Sequence, residues 1–126
     1  MNVVDSSGWL EFFADGQNAA FFAKPIEARR SLIVPTISLY EVFKRVLQQR
    51  DEDEALRAVA VMEQGRVVDL DRVLALEGAR IATVHRLPMA DGLILATARR
   101  HRATLWTQDA DFQRMEGVRY VPKQTA

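Results

Sequence analysis

The chain has 126 residues, 48% of them hydrophobic, and its 17 basic residues equal its 17 acidic residues in number. This length suits one domain, which we assign to residues 1–126, and the balanced charge does not by itself indicate a nucleic-acid partner. The absence of cysteine excludes disulfides, thiolate zinc sites and cysteine nucleophiles.

Targeting signals are not visible in the sequence. No basic leader precedes the first apolar segment, so we expect no signal peptide. Apolar runs stay well below the ~18 residues that a membrane-spanning helix requires. We therefore expect a cytoplasmic protein with no membrane partner.

Short apolar runs alternate with longer helical patterns along the whole chain. In chain order, the predicted elements are a strand at 2–4, helices at 6–16 and 18–30, a strand at 32–34, helices at 36–47 and 51–64, a strand at 67–68, helices at 71–84 and 89–101, a strand at 104–106, a helical turn near 112 and a strand at 119–121. This alternation predicts an α/β fold, with a parallel sheet of about five strands flanked by helices on both faces.

Several helix boundaries allow alternatives. We expect the segment Ser6-Ser7-Gly8 to cap the first helix, and we expect Pro25 to cause a break or a turn in the second. Either Thr36 or Ser38 begins the third helix. The segment His85-Arg86-Leu87-Pro88 is expected to form a loop before the last long helix.

Two apolar runs that lie far apart in the chain both end in aspartate. Asp5 follows Asn2-Val3-Val4, and Asp109 and Asp111 follow the run around Trp106. The carboxyl ends of parallel strands open onto the crevice where ligands bind, so these acids can meet in one cleft. Clustered carboxylates repel one another, and a divalent cation relieves that repulsion. The pattern therefore predicts a metal site.

Each of these acids also has a structural interpretation. Asp5 could cap the following helix, but the neighbouring serines could do so equally well, and we favour a functional role. One of Asp109 and Asp111 could cap the helical turn near Phe112, although two caps are not needed. We expect Asp109 to matter more because it follows the buried strand first, whereas Asp111 would be an outer partner or a cap. Thr107 either supplies a hydroxyl to a metal-bound water or ends the strand.

Asp91 is the acid that is hardest to explain structurally. It lies at the start of an apolar helix, and Ile94 and Leu95 indicate that this face of the helix is buried. An unpaired carboxylate on such a face destabilises a protein unless a cation or hydrogen-bond donors approach it. The adjacent Gly92 leaves room for backbone or a ligand to come close.

Glu41 supports two interpretations. Ser38-Leu39-Tyr40-Glu41 fits a capping box, in which the glutamate reaches back to the backbone N–H of the cap. The same helix follows directly on the strand at 32–34, so its first turn lies at the sheet edge that also holds Asp5. The residues alone leave both the structural and the functional interpretation open.

Four short motifs occur in a fixed order along the chain. They are Val4-Asp5-Ser6-Ser7, Ser38-x-x-Glu41, Ala90-Asp91-Gly92-Leu93-Ile94-x-Ala96-x-Ala98 and Thr107-x-Asp109-x-Asp111-Phe112. Together they resemble the PIN domain over residues 3 to about 121. More narrowly, the chain is similar to VapC-type toxin ribonucleases of bacterial toxin–antitoxin pairs.

This resemblance implies a fold, an activity and partners. The expected fold is a PIN-like three-layer sandwich, and the expected activity is metal-dependent endoribonuclease cleavage of cellular RNA, such as tRNA or another structured RNA. Asp5, Glu41, Asp91 and Asp109 would surround Mg²⁺ or Mn²⁺, with Asp111 a less regular contributor. Glu41 would bind a second ion or orient the attacking water. A homodimer and inhibition by a cognate antitoxin protein are also implied.

The distribution of basic residues fits such an activity. Between Arg99 and Lys123 there are six Lys or Arg residues against three acids. A basic rim around an acidic centre is what a metal-dependent nuclease needs, because contacts to phosphates supply affinity. The residues at 99–102 could equally well stabilise the carboxyl end of a helix. His85 and His101 are expected at the surface, and the mechanism requires neither.

Two other functions compete with this one. A phosphoacceptor signalling domain would need an adjacent pair of acids after the first strand, whereas Asp5 is followed by serines. It would also need an aspartate after the third strand and a lysine after the fifth, but Asp53 lies in a charged helix start and Lys123 follows a proline. A non-catalytic PIN-like RNA-binding module is the second alternative, and it would have no reason to retain all four acids.

Overall fold

The structure is a computed structural model that describes residues 1–124, so the predicted domain of residues 1–126 extends two residues beyond it. Five parallel strands form one sheet. The strands are β1 (Asn2–Val4), β2 (Leu32–Pro35), β3 (Arg66–Val68), β4 (Thr104–Thr107) and β5 (Val118–Tyr120). Their order across the sheet is β3-β2-β1-β4-β5, which puts β1 at the centre. The predicted parallel α/β sheet is thereby confirmed.

Six α-helices and two short 3₁₀ helices connect the strands in the described part of the chain. The α-helices are α1 (Ser6–Phe13), α2 (Ala19–Glu27), α3 (Thr36–Gln49), α4 (Glu52–Met62), α5 (Arg72–His85) and α6 (Met89–Arg100). The 3₁₀ helices are Arg29–Ser31 and Ala110–Phe112. Within residues 1–124, no helix combines the length and the apolar character that crossing a membrane requires.

The core lies on both faces of the sheet. Val3, Ile33 and Leu105 point to the face that α5 and α6 cover, whereas Val4 and Trp106 point to the face that α1 and α2 cover. Side chains alternate between the two faces of a strand, and both faces here are apolar, so the central strands have continuous hydrophobic sequences. The three layers expected of a PIN-like sandwich are present.

Two details of the first two helices differ from the sequence-based expectation. The cap of α1 is Asp5, and the helix already ends at Phe13. Pro25 does not break α2, which continues to Glu27 and not to Arg30. A proline in a helix removes only one backbone hydrogen bond, and burial of the side chains in this last turn, Pro25 included, holds the turn together.

Two further boundaries are now settled. The third helix begins at Thr36 after Pro35, so Ser38 is not its cap and no capping box forms. The segment predicted as a loop at 85–88 is shorter, because α5 includes His85 and ends with Arg86 in the left-handed conformation at φ 55°.

Helices α5 and α6 cross at two glycines. A Cβ atom on Gly92 would lie 2.6 Å from the carbonyl oxygen of Gly78 and 2.8 Å from the Cβ of Ala82. Both distances are well inside van der Waals contact, so the helices can approach this closely only because Gly92 has no side chain. The close approach predicted for Gly92 is therefore one of protein backbone, and it fixes the first turn of α6.

We expect Gly92→Ala to destabilise the fold by about 1–3 kcal/mol, because the added methyl group must push α5 away from α6. The sign is informative, since alanine has the higher helix propensity and would stabilise an unhindered helix by roughly 1 kcal/mol. Urea unfolding of both proteins measures the difference. An unchanged or increased free energy of unfolding would show that the crossing can relax.

Candidate metal centre

Asp5 ends β1 and begins α1, and its side chain serves the backbone of both elements. Its Oδ1 accepts hydrogen bonds from the backbone N–H of Gly8 and the hydroxyl of Ser7, both at 2.9 Å. Asp5 therefore caps α1, whereas the serine segment was predicted to do so. Ser7 donates its hydroxyl to Asp5 and is not the cap itself. Asp5 is only 2% exposed, and this burial raises its pKa to about 6 in spite of the hydrogen bonds.

Thr107 links the exits of the two central strands. Its hydroxyl donates to Oδ2 of Asp5 at 2.6 Å and accepts from the backbone N–H of Asp109 at 2.9 Å. The strands are already adjacent there, since the N–H of Asp5 donates to the carbonyl of Trp106. Thr107 is fully buried. Thr107 thus holds Asp5 through its carboxylate and Asp109 through its backbone N–H.

Asp109 and Asp111 follow β4 and differ in how firmly they are held. Oδ1 of Asp109 accepts from the backbone N–H of Asp111 at 2.9 Å and caps the short helix at Ala110–Phe112. Of the two acids considered as the cap, Asp109 is the one that occupies the N-cap position, so the alternative of Asp111 as the cap is excluded. Asp109 is half-buried, whereas Asp111 is exposed.

Glu41 reaches the same edge of the sheet from α3. Its Oε1 accepts a hydrogen bond of 2.5 Å from the hydroxyl of Ser6, at the start of α1. This contact between two elements replaces the capping box that Ser38 was considered for. One turn before Glu41, the buried hydroxyl of Ser38 has no hydrogen-bond partner within residues 1–124.

Asp91 lies in the first turn of α6 and is half-buried. Within residues 1–124, its carboxylate accepts no hydrogen bond. Burial, followed by the negative charges of Asp109, Asp5, Glu41 and Asp111 in that order, raises its pKa to about 7. Because no hydrogen-bond donor in the described chain compensates the charge of this half-buried carboxylate, a cation is the partner that its environment favours.

The predicted site residues converge at one edge of the sheet. Carboxylate oxygens of Asp91, Asp109 and Asp111 lie within 4.8 Å of one another. Asp5 and Glu41 are outside this group of three, yet their charges act on Asp91. Oxygen ligands from a few carboxylates are the donor set that Mg²⁺ and Mn²⁺ prefer, so the residues fit such an ion.

A buried polar network behind this site was not predicted from the sequence. The side-chain amide of Asn18 donates to Oε1 of Gln108 at 2.9 Å and to the carbonyl of Pro122 at 3.0 Å. Gln108 in turn donates to the carbonyl of Ser7 at 3.4 Å. Asn18 and Gln108 are 90 positions apart, and an isolated amide carries no pattern that identifies a distant partner.

The two histidines differ in exposure. His85 is exposed, as predicted, whereas His101 is half-buried and its Nε2 has no hydrogen-bond partner in the described chain. Burial lowers the pKa of His101, and the positive charges of Arg66 and Arg100 lower it further. The expectation of two surface histidines is thus wrong for His101.

The PIN domain family matches residues 3–118, which is most of the chain. The chain belongs to the PIN domain family. This membership rules against the phosphoacceptor alternative. No sequence among curated proteins gives a match.

Solved structures with the same PIN fold come from several bacteria. A toxin–antitoxin complex from Klebsiella pneumoniae has a TM-score of 0.77 and 22% identity, with 94% of this chain and 95% of that chain covered. VapC20 of Mycobacterium tuberculosis, a sarcin–ricin loop cleaving toxin, has a TM-score of 0.75 and 16% identity, covering 90% and 93%. DNA-bound VapBC of Salmonella typhimurium has a TM-score of 0.71 and 17% identity, covering 97% and 98%. These similarities establish the fold.

We expect Asp91→Asn to raise the melting temperature of the metal-free PIN domain at pH 7.5 by a few degrees, because it removes one charge from a repelling group. The folded-state pKa of Asp91 lies above its ordinary value of 3.8, at about 7. Ionisation of Asp91 therefore opposes folding. The stability that the protonated carboxyl contributes is complete below pH 3.8 and is lost as pH rises through about 7.

Melting curves of both proteins in EDTA, at pH 4 and at pH 7.5, measure this effect. The advantage of the asparagine variant should vanish at the acidic pH, where Asp91 is protonated. A marked loss of stability at pH 7.5 would instead assign Asp91 a structural role.

Replacement of Thr107 by valine should cost about 1–3 kcal/mol, because it leaves the buried carboxylate of Asp5 without its shortest hydrogen bond. Thr107→Ser keeps the hydroxyl and is the matched control, with a smaller loss from the missing methyl group. Urea unfolding and calorimetric titration with Mn²⁺ measure both proteins. Equal metal affinity in the valine and serine variants would refute a positioning role for the hydroxyl.

Proposed function

We propose that this PIN domain is a metal-dependent endoribonuclease that cleaves cellular RNA, with tRNA or another structured RNA as substrate. We further propose that it is the toxin of a type II toxin–antitoxin pair. The observation that carries the activity is the convergence of Asp91, Asp109 and Asp111 at the carboxyl edge of the sheet, with the charges of Asp5 and Glu41 beside them. Asp5 and Asp109 also cap helices, but capping does not require the carboxylates of Asp91 and Asp111 to lie beside them.

Each acid has a distinct part in the proposed activity. Asp91, Asp109 and Asp5 would hold Mg²⁺ or Mn²⁺, and Asp111 would join them as a ligand. When bound, the ion would activate water, orient the scissile phosphate and stabilise its developing charge. Glu41, oriented by Ser6, would hold a second ion or orient the attacking water. Thr107 and Ser7 would keep Asp5 in place while substrate enters.

The relatives support the proposed class of substrate and partner. VapC20 is a toxin that cleaves the sarcin–ricin loop, and the similar Klebsiella pneumoniae protein is part of a toxin–antitoxin complex. We propose by analogy that this chain acts in the cytoplasm and that a cognate antitoxin inhibits it.

A homodimer is the proposed assembly. Helix α5 exposes apolar side chains that a monomer would leave in water: Val73 is 62%, Leu76 68% and Val84 69% exposed. Exposed apolar groups spaced along one helix favour burial against another protein surface. We propose a second copy of this chain as the partner at α5.

Cleavage of RNA by the purified chain should stop in excess EDTA and return with Mg²⁺ or Mn²⁺, because the site offers carboxylates and no other activating group for water. A labelled RNA and total cellular RNA are suitable substrates, and gel electrophoresis reports the products. Asp91→Asn is the control for a contaminating nuclease and should be inactive under all conditions.

Undiminished cleavage in EDTA would contradict the metal mechanism. RNA binding without cleavage, in the presence of either ion, would favour the non-catalytic RNA-binding module.

A further inference from the structure

A groove of about 550 Å³ opens directly beside the acidic cluster. Its walls are the segment 110–116, His85 at the end of α5 and Arg99 in the last turn of α6. Asp111 belongs both to this wall and to the group of three carboxylates. The groove therefore begins where the proposed metal site ends.

Two arginines in this groove have no acidic partner. Ion pairs within 4 Å in the described residues are limited to Arg57 with Glu54 and Arg100 with Asp71. Arg99 and Arg114 both line the groove, and neither guanidinium is in one of these pairs. An unpaired guanidinium presents a fork of N–H donors that matches the oxygens of a phosphate.

We propose that this groove binds the backbone phosphates of the RNA strand next to the scissile bond, with Arg99 and Arg114 as the phosphate-binding residues. The proposal rests on the proposed ribonuclease function, since it assigns the path of that substrate. His85 is a further N–H donor in the same wall.

The position of the groove beside the carboxylates favours a polyanion over an acidic mononucleotide or a peptide. A strand whose cleaved phosphate lies at the carboxylates carries neighbouring phosphates on both sides, and the groove extends from that point. Asp111 and Glu116 oppose the arginines in the same walls. A cation bound by the cluster would offset the charge of Asp111, and the groove with its two arginines would then be cationic.

Steady-state cleavage of a fluorescent single-stranded RNA in Mg²⁺ tests the assignment. We expect Arg99→Ala and Arg114→Ala each to raise KM about threefold to tenfold, because each loses an exposed charge-assisted contact, with kcat changed less than about twofold. Each should also lower the slope of log affinity against log salt by about one, the value for one phosphate contact.

Two controls separate charge from structure. Arg57→Ala removes an exposed arginine of α4 that does not line the groove, and it should leave KM and the salt slope unchanged. Arg114→Lys keeps the charge, so it should retain the salt slope even if KM rises. Melting temperatures confirm that all variants are folded.

The outcomes distinguish this proposal from the proposed function. If the parent protein cleaves RNA and both alanine variants keep its KM and salt slope, the groove does not bind the strand. A fall in kcat at constant KM would also overturn the proposal, because the arginines would then act at the reacting phosphate. If the parent protein does not cleave RNA, the proposed function fails. Fluorescence anisotropy with the same RNA then tests the groove by itself, and equal affinities of the parent and alanine variants would overturn it.

Discussion

Folding of this chain has to hold five carboxylates at one edge of a sheet against their mutual repulsion. They are the side chains of Asp5, Glu41, Asp91, Asp109 and Asp111. Burial, and after it this repulsion, raise the pKa of Asp91 to about 7, whereas the pKa of Asp5, at about 6, is raised mainly by burial. Each state that neutralises the group, by protons or by a divalent cation, therefore favours the folded protein.

The energy that opposes this repulsion comes from the two apolar layers around β1. The central strand has Val3 in one layer and Val4 in the other, both fully buried, and the next residue is the first acid of the site. Along each of these short strands, the buried apolar residues stabilise the fold, and the polar residue that follows the strand belongs to the site. The site can be strained because it lies at the end of the core and not inside it.

Hydrogen bonds distribute the constraint among the acids unevenly. Asp5 is held by Ser7, Gly8 and Thr107, whereas Asp91 has no donor among the described residues. The position of Asp91 comes instead from the glycine crossing of α5 and α6, since Gly92 fixes the first turn of α6 against Gly78. One acid is thus positioned by polar contacts and another by backbone packing, and both mechanisms serve the same site.

The sequence by itself determined the fold class and the identity of the acids. Continuous apolar runs ending in aspartate predicted parallel strands with acids at their exits, because burial on both faces and the direction of the strands are local properties. Asp91 could be singled out because a carboxylate on an apolar helix face has no structural explanation. The family resemblance supplied the case for Glu41, where the local pattern also fitted a capping box.

The tertiary structure decided which partner each acid has. The register that aligns Asn2 with Thr104 brings the hydroxyl of Thr107 to Asp5, and only this register makes Thr107 a link between the two strand exits. The tertiary structure also decides that Glu41 contacts Ser6 and that Asp111 lies close to Asp91. Hydrogen bonds act over a few ångströms. Thr107 and Asp5 are 102 positions apart in the chain, so their contact depends on packing that no local pattern encodes.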